Sequence, residues 1–319
     1  MKKFLGDPLF LNEAKQSKKP GHNAFAELLI FIPVFFVIQL LETVPVVVVS
    51  VIWIIAANFD AASSGSSFYY SSAAYEVPDV ITIFSLLVTV LGTVIALLFC
   101  RYIEERKISS MGLRKKSFFT EYLLGGAFGI IMIFAAALCG IVSGALTITP
   151  GTPSALIIIA CLIGFFLQGM SEEVIFRGYL MTSMTRRNGI FISVLLSSFA
   201  FSVTHLGNPG ISATAFINIM LFGALAAVLF IKRGSIWAAC GMHTFWNFYQ
   251  GTVFGISVSG AVKTGGSIFN AAVSRSMPEI LTGGDFGLEG SLFVTAIEII
   301  FLLLFILVLP KKKDEQCPL

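Results

Sequence analysis

The stretch SALIIIACLIGFFLQGMSEEVIFR, Ser154 to Arg177, is almost wholly apolar up to Met170 and then carries two adjacent carboxylates, Glu172 and Glu173. An apolar run that approaches the ~20 residues of a membrane span reads as a helix inside a bilayer. A carboxylate at that depth costs about 3 kcal/mol on insertion scales, so two in a row call for pairing or for chemistry. Downstream, two further apolar stretches each hold one histidine, His205 and His243, out of only three in the chain.

The rest of the composition agrees. Hydrophobic residues make up 56% of the 319 residues and charged ones 12%, where a soluble domain carries about 25% charge. The fold class expected is all-α, a polytopic membrane bundle; the short alternating segments of a membrane barrel are missing. Eight stretches are long and apolar enough to cross: 24–57, 79–100, 121–146, 154–185, 189–206, 211–231, 234–251 and 291–310. The first contains Pro33, Pro45, Glu27 and Glu42 and could be one kinked pass or two. Charge decides. Basic clusters stand at Lys2, Lys3, Lys15, Lys18 and Lys19, at Arg101 to Lys116, at Arg186-Arg187, at Lys232-Arg233 and at Lys311 to Lys313. The connections between them are poor in Lys and Arg: the 58–78 loop, the 147–153 turn and the Gly/Ser-rich 252–290 loop. Cytoplasmic loops concentrate positive charge. Eight passes with both termini inside fit every cluster, so the first stretch is one pass. This divides the chain into a cytoplasmic segment 1–23, a transmembrane domain 24–310 with its working core over about 110–251, and a basic cytoplasmic tail 311–319.

The net charge of +3 does not suggest a nucleic-acid partner. Five cysteines without a CxxC pair read as buried small hydrophobes rather than a thiolate zinc site. The N-terminus lacks the short apolar core of a cleaved signal peptide. Gly125 and Gly129 suit close helix packing. The 252–290 loop is expected to fold over the outer face.

Three constellations carry chemistry. In Glu172-Glu173-Val-Ile-Phe-Arg177, Glu173 and Arg177 are four apart on a helix in the favourable order, so Arg177 neutralises Glu173. Glu172 points about 100° away and stays free to act as general base or acid. In Phe201-Ser-Val-Thr-His205, the ring of Phe201 can pack beneath the imidazole. In His243-Thr-Phe-Trp-Asn247, both side chains share a helix face and can donate hydrogen bonds to one point, as an oxyanion hole requires. At about 1.5 Å per residue, Glu172, His205 and His243 lie roughly 21, 27 and 15 Å from their basic flanks. Those depths straddle mid-membrane, and tilt must bring them together. Glu27, Gln39, Glu42, Asn218 and Glu298 match none of these patterns and read as structural polar groups, Glu298 with an alternative in a substrate channel.

The order EExxxR, FxxxH, HxxxN over about 170–250 resembles the CAAX-prenyl-protease and bacteriocin-processing (Abi) intramembrane endopeptidases, and Met111-Gly-Leu-Arg114 is similar to a segment of bacterial members. By that resemblance Glu172 activates water with help from His205, and His243 with Asn247 stabilises the oxyanion. Glu173, Arg177 and Phe201 support the motif. The resemblance implies a membrane-associated peptide or protein as substrate, either a prenylated CAAX tail or a peptide precursor. Some members are linked to self-immunity against bacteriocins. The short loops favour a bacterial plasma membrane. Relatives are often labelled metalloproteases, and zinc on Glu172, His205 and His243 is the alternative. The absence of an HExxH arrangement favours a glutamate-type hydrolase with no metal. From other classes, the rivals are a transporter that uses the same groups as an ion relay and a regulatory scaffold that binds a membrane partner.

Overall fold

The structure, a computed structural model, describes residues 8–63, 78–260 and 264–312, with the backbone alone over 57–63. Lys2, Lys3, Glu76, Lys263, Lys313 and Cys317, and most of the 58–78 loop, lie outside the described residues.

The chain is a helical bundle. Helix α1 (Leu9–Lys15) buries Phe10, Leu11 and Ala14, and Phe10 stacks on Phe230 with centroids 4.0 Å apart. The first apolar stretch forms one helix, α2 (Ala24–Ser63), with both prolines inside it. Only a few of its apolar side chains, Phe31 and Ile38 among them, are buried; Ile32, Phe36, Ile52 and Ile55 are 60–67% exposed. Such an apolar surface in water would be a liability, whereas lipid is its natural solvent. Helices α3 (Asp79–Val88) and α4 (Val90–Leu98) run into a π turn at Phe99–Ile103. They are followed by α5 (Phe118–Ser143), α6 (Ala155–Glu173), α7 (Ile190–Val203), α8 (Ala213–Arg233), α9 (Ile236–Phe248) and α10 (Leu292–Leu307).

Serine side chains cap three of the helix starts: Ser154 accepts from the Ile157 N–H, Ser212 from Ala215 and Ser291 from Val294, satisfying donors that lipid cannot. Five helical stretches, Ala24–Ala56, Asp79–Ile103, Ile108–Ser143, Ala155–Met184 and Ala213–Arg233, are long and apolar enough to cross a membrane. Ile190–Val203 and Leu292–Leu307 are apolar but shorter. A helix the length of Leu292–Leu307 rises only about 24 Å, less than the ~30 Å hydrocarbon core.

Two connections depart from the expected plain turn and loop. Residues Leu146–Pro150 (β1) pair antiparallel with Phe269–Val273 (β2), with Leu146 opposite Val273 and Pro150 opposite Phe269. The all-α bundle therefore carries a small sheet that ties the 252–290 loop to the end of α5.

The interior is set by close helix approach. A Cβ on Gly125 would fall 1.8 Å from the Ala238 carbonyl oxygen, one on Gly129 2.3 Å from that of Met242, and one on Gly241 2.0 Å from that of Tyr122. Helices α5 and α9 thus meet backbone to backbone. Arg186 pairs with Glu27 at 3.1 Å and with Glu104, which also holds Arg106 at 3.0 Å. Glu27 is accordingly structural. Glu121 takes Arg233 at 2.7 Å and Lys312 at 2.8 Å. Both clusters gather the basic flanks on one end of the bundle.

Candidate active site

Helix α6 delivers the paired carboxylates at its last turn. Immediately afterwards the backbone widens into a π helix, Val174–Met181, a form frequent at functional sites. The expected pair is present: Arg177 Nη1 lies 2.9 Å from Glu173 Oε1, and both side chains are fully buried. The guanidinium also sits over the ring of Phe201, 4.5 Å from its centroid, a cation–π contact. Gly223 makes room for it; a Cβ there would fall 2.9 Å from Arg177 Nη2.

The structure places His243 between the two carboxylates. Its Nδ1 is 2.9 Å from Glu173 Oε1 and its Nε2 is 3.6 Å from Glu172 Oε2. The edge of Phe222 packs against the imidazole at 5.0 Å between centroids. Close contact between α6 and α9 permits this: a Cβ on Gly169 would stand 3.0 Å from the Thr244 backbone nitrogen. Glu172 is the partly accessible member of the pair, with 24% of its side chain exposed. Gln168, one turn earlier, donates to Glu172 Oε1 at 2.6 Å and accepts from Asn247 Nδ2 at 3.0 Å. Glu172, Gln168 and Asn247 therefore form one chain of hydrogen bonds.

His205 lies in the turn after α7 and lines the same cavity. Its Nδ1 is 2.9 Å from the Phe201 carbonyl oxygen. As donor there it leaves Nε2 as an acceptor. The Phe201 and His205 rings are 4.9 Å apart, edge to face, as the spacing of four implied. The cavity brings Glu172, His205, His243 and Asn247 together.

Sequence reasoning left Gln168, Asn218, Glu289 and Glu298, which line the cavity, outside the site. Gln168 carries no motif signal beyond its place one turn before Glu172. Asn218 and Glu298, read as structural polar groups, both face the cavity. Asn218 also supports the loop, donating to the carbonyls of Glu289 and Ser291 at 2.7 and 2.9 Å. Glu289 comes from the 252–290 loop. Its carboxylate accepts from Trp246 Nε1 at 3.4 Å, Gln250 Nε2 at 3.1 Å and the Ser259 N–H at 2.5 Å. Burial pushes the Glu289 carboxyl above its usual range, against the Ser259 N–H and Gln250, which hold it down. Glu42, on α2, has Gln39 as a hydrogen-bond partner at 3.3 Å.

A zinc ion needs ligands at about 2.0–2.2 Å in a tetrahedral set. Glu173 holds Nδ1 of His243 and the Phe201 carbonyl holds Nδ1 of His205, which leaves Nε2 of each ring free, the arrangement a metal-ligating imidazole also uses. Among the described residues no three His, Cys, Asp or Glu side chains are grouped closely enough to hold a metal ion.

Residues 153–249 match the family model described as Rce1-like, type II CAAX prenyl endopeptidase. No curated protein and no solved structure matches the chain. The matched segment holds the carboxylate pair, both cavity histidines and Asn247, and over it the chain is similar to the Rce1-like CAAX-type membrane proteases.

Proposed function

We propose that the protein is an intramembrane endopeptidase of the bacterial plasma membrane in which Glu172 activates water without a metal. The observation that supports it is one imidazole, His243, held by Glu173 on one side and facing Glu172 on the other, inside a cavity that His205 and Asn247 also line. Water between Glu172 and His205 loses a proton to Glu172 as its oxygen attacks the scissile carbonyl. The proton passes from Glu172 to His243 Nε2. His243, with Nδ1–H held by Glu173, then donates Nε2–H to the oxyanion. Asn247 has two amide hydrogens; one goes to Gln168 and the other is available for the same oxyanion. Collapse of the tetrahedral intermediate expels the amine, which takes the proton. The substrate is a membrane-associated peptide or protein, either a CAAX-type tail or a peptide precursor. The chain crosses the membrane eight times with both ends in the cytoplasm.

The test is comparative peptidomics of cells carrying the wild type or Glu172→Ala. A peptide product found only with the wild type, and reproduced by purified protein in a strong chelator, is the expected result. Stoichiometric zinc by elemental analysis, with activity lost on its removal and restored on its return, would overturn the metal-free mechanism.

A further inference from the structure

The cavity is unbalanced in charge. Glu172, Glu289 and Glu298 line it, and no Lys or Arg among the described residues does. Arg177 is spent on Glu173 and Phe201. Lys232 reaches the end of α10, where its Nζ caps the carbonyls of Ile306 and Leu309 at 2.9 and 3.2 Å.

The two carboxylates away from Glu172 differ in kind. Glu289 is saturated by Trp246, Gln250 and Ser259 and anchors the loop. Glu298 lies in the middle of α10, 1% exposed, and its Oε2 has no hydrogen-bond partner among the described residues. Its neighbours Ile299, Ile300 and Leu303 are exposed on the outer face of the helix, while Glu298 turns inward to the cavity. One turn back, Thr295 is occupied in donating to Asn218 Oδ1 at 2.6 Å. An ionisable group inside a membrane protein that faces a cavity and lacks a partner marks a substrate path, and a buried carboxylate is stable as a charge only when a cation pairs with it.

We propose that Glu298, backed by Glu289, forms a subsite that receives the cationic side chain of a lysine or arginine adjoining the scissile bond. The inference rests on the protease reading for the words "scissile bond" and on the cavity alone for the cation. A neutral side chain of the same length would leave the carboxylate unpaired in a dry site, so discrimination is built into the wall. The remaining lining, Ile219 and Phe222, suits the methylene stem of a long basic side chain.

The experiment uses purified full-length protein and three peptides that differ only beside the cleaved bond: lysine, norleucine or glutamate. The expected order in kcat/KM is lysine, norleucine, glutamate, with lysine ahead of norleucine by about tenfold or more. Glu298→Gln should lower the lysine-to-norleucine ratio about 30-fold, chiefly through KM, as expected for truncating one partner of a buried charge pair. Glu298→Asp, which keeps the charge, should retain part of the preference. Equal rates for lysine and norleucine in the wild type, or an equal loss for both in Glu298→Gln, would overturn the subsite; a misfolded variant gives the second pattern and is recognised because Glu298→Asp then fails too. If the wild type cuts none of the peptides, the same three are titrated as ligands by fluorescence polarisation. Preferential binding of the lysine peptide that is lost in Glu298→Gln then upholds the subsite while the protease reading falls. Equal binding of all three overturns the subsite.

Discussion

At the scale of single residues, the adjacent glutamates divide their work by what each can reach. Glu173 is fully buried and shared between Arg177 and His243, both at 2.9 Å. Removing its charge leaves a guanidinium without its counter-ion in a dry site, which costs about 3–5 kcal/mol when a buried pair is broken. Glu173→Gln should therefore show a large drop in thermal unfolding temperature together with lost activity. Glu172 is partly exposed and has Gln168 and His243 beside it, so Glu172→Gln should remove hydrolysis while its unfolding temperature stays near the wild-type value. A Glu172→Gln variant that still turns over peptide at near wild-type rate would refute Glu172 as the base. Oxyanion donors typically contribute about 100-fold or more to turnover. His243→Ala and Asn247→Ala should each reach that loss, and their double variant should fall well short of the product if they act as a unit. Gln168 ties Glu172 to Asn247, so Gln168→Leu should lower kcat by misplacing both; unchanged kcat would argue that the bridge is incidental.

At the scale of elements, the site depends on how closely three helices approach. Gly169 lets α6 meet α9 beside Thr244, and Gly125, Gly129 and Gly241 let α5 meet α9. Small residues of this kind allow helix backbones to pack where lipid provides no hydrophobic drive. A Cβ on Gly241 would stand 2.0 Å from a backbone carbonyl, which cannot swing away as a side chain can. Gly241→Val should cost about 3 kcal/mol, the upper end for overpacking, and should shift His243, two residues on. Gly207→Val, at a position where a Cβ meets open space, is the matched control. Equal unfolding temperatures for the two variants in detergent would show that the α5–α9 contact is looser than drawn.

At the scale of the whole molecule, the distribution of charge should set the orientation in the membrane. Arg186, Arg106, Arg233 and Lys312 pair with Glu27, Glu104 and Glu121, drawing basic groups from four connections to one end. The β1–β2 sheet and Glu289 close the bundle elsewhere. In a cysteine-free background, a cysteine at exposed Thr149 should react with an impermeant thiol reagent from outside, and one at exposed Lys115 only after the membrane is opened. The reverse pattern, Lys115 reacting from outside and Thr149 only after opening, would mean that the first apolar stretch crosses twice, and reaction of both from one side that α5 does not cross.

Apolar run length and sparse charge were enough by themselves to specify a helical membrane bundle and to locate its helices, because a bilayer demands that every backbone group be satisfied within a helix. The same sequence identified Glu173 with Arg177 and Phe201 with His205, since partners four apart meet on one helix whatever surrounds them. Only the tertiary structure put His243 against Glu172 and Glu173, linked Gln168 to Asn247, and turned Asn218, Glu289 and Glu298 toward the cavity. Glu173 and His243 are 70 positions apart, and Gln168 and Asn247 are 79 apart. Their meeting depends on glycine-mediated helix approach, a π turn after the carboxylates and a folded loop. None of these leaves a periodic signature in a single sequence. Their physical origin is the packing of one helix on another, which periodicity along each helix does not contain.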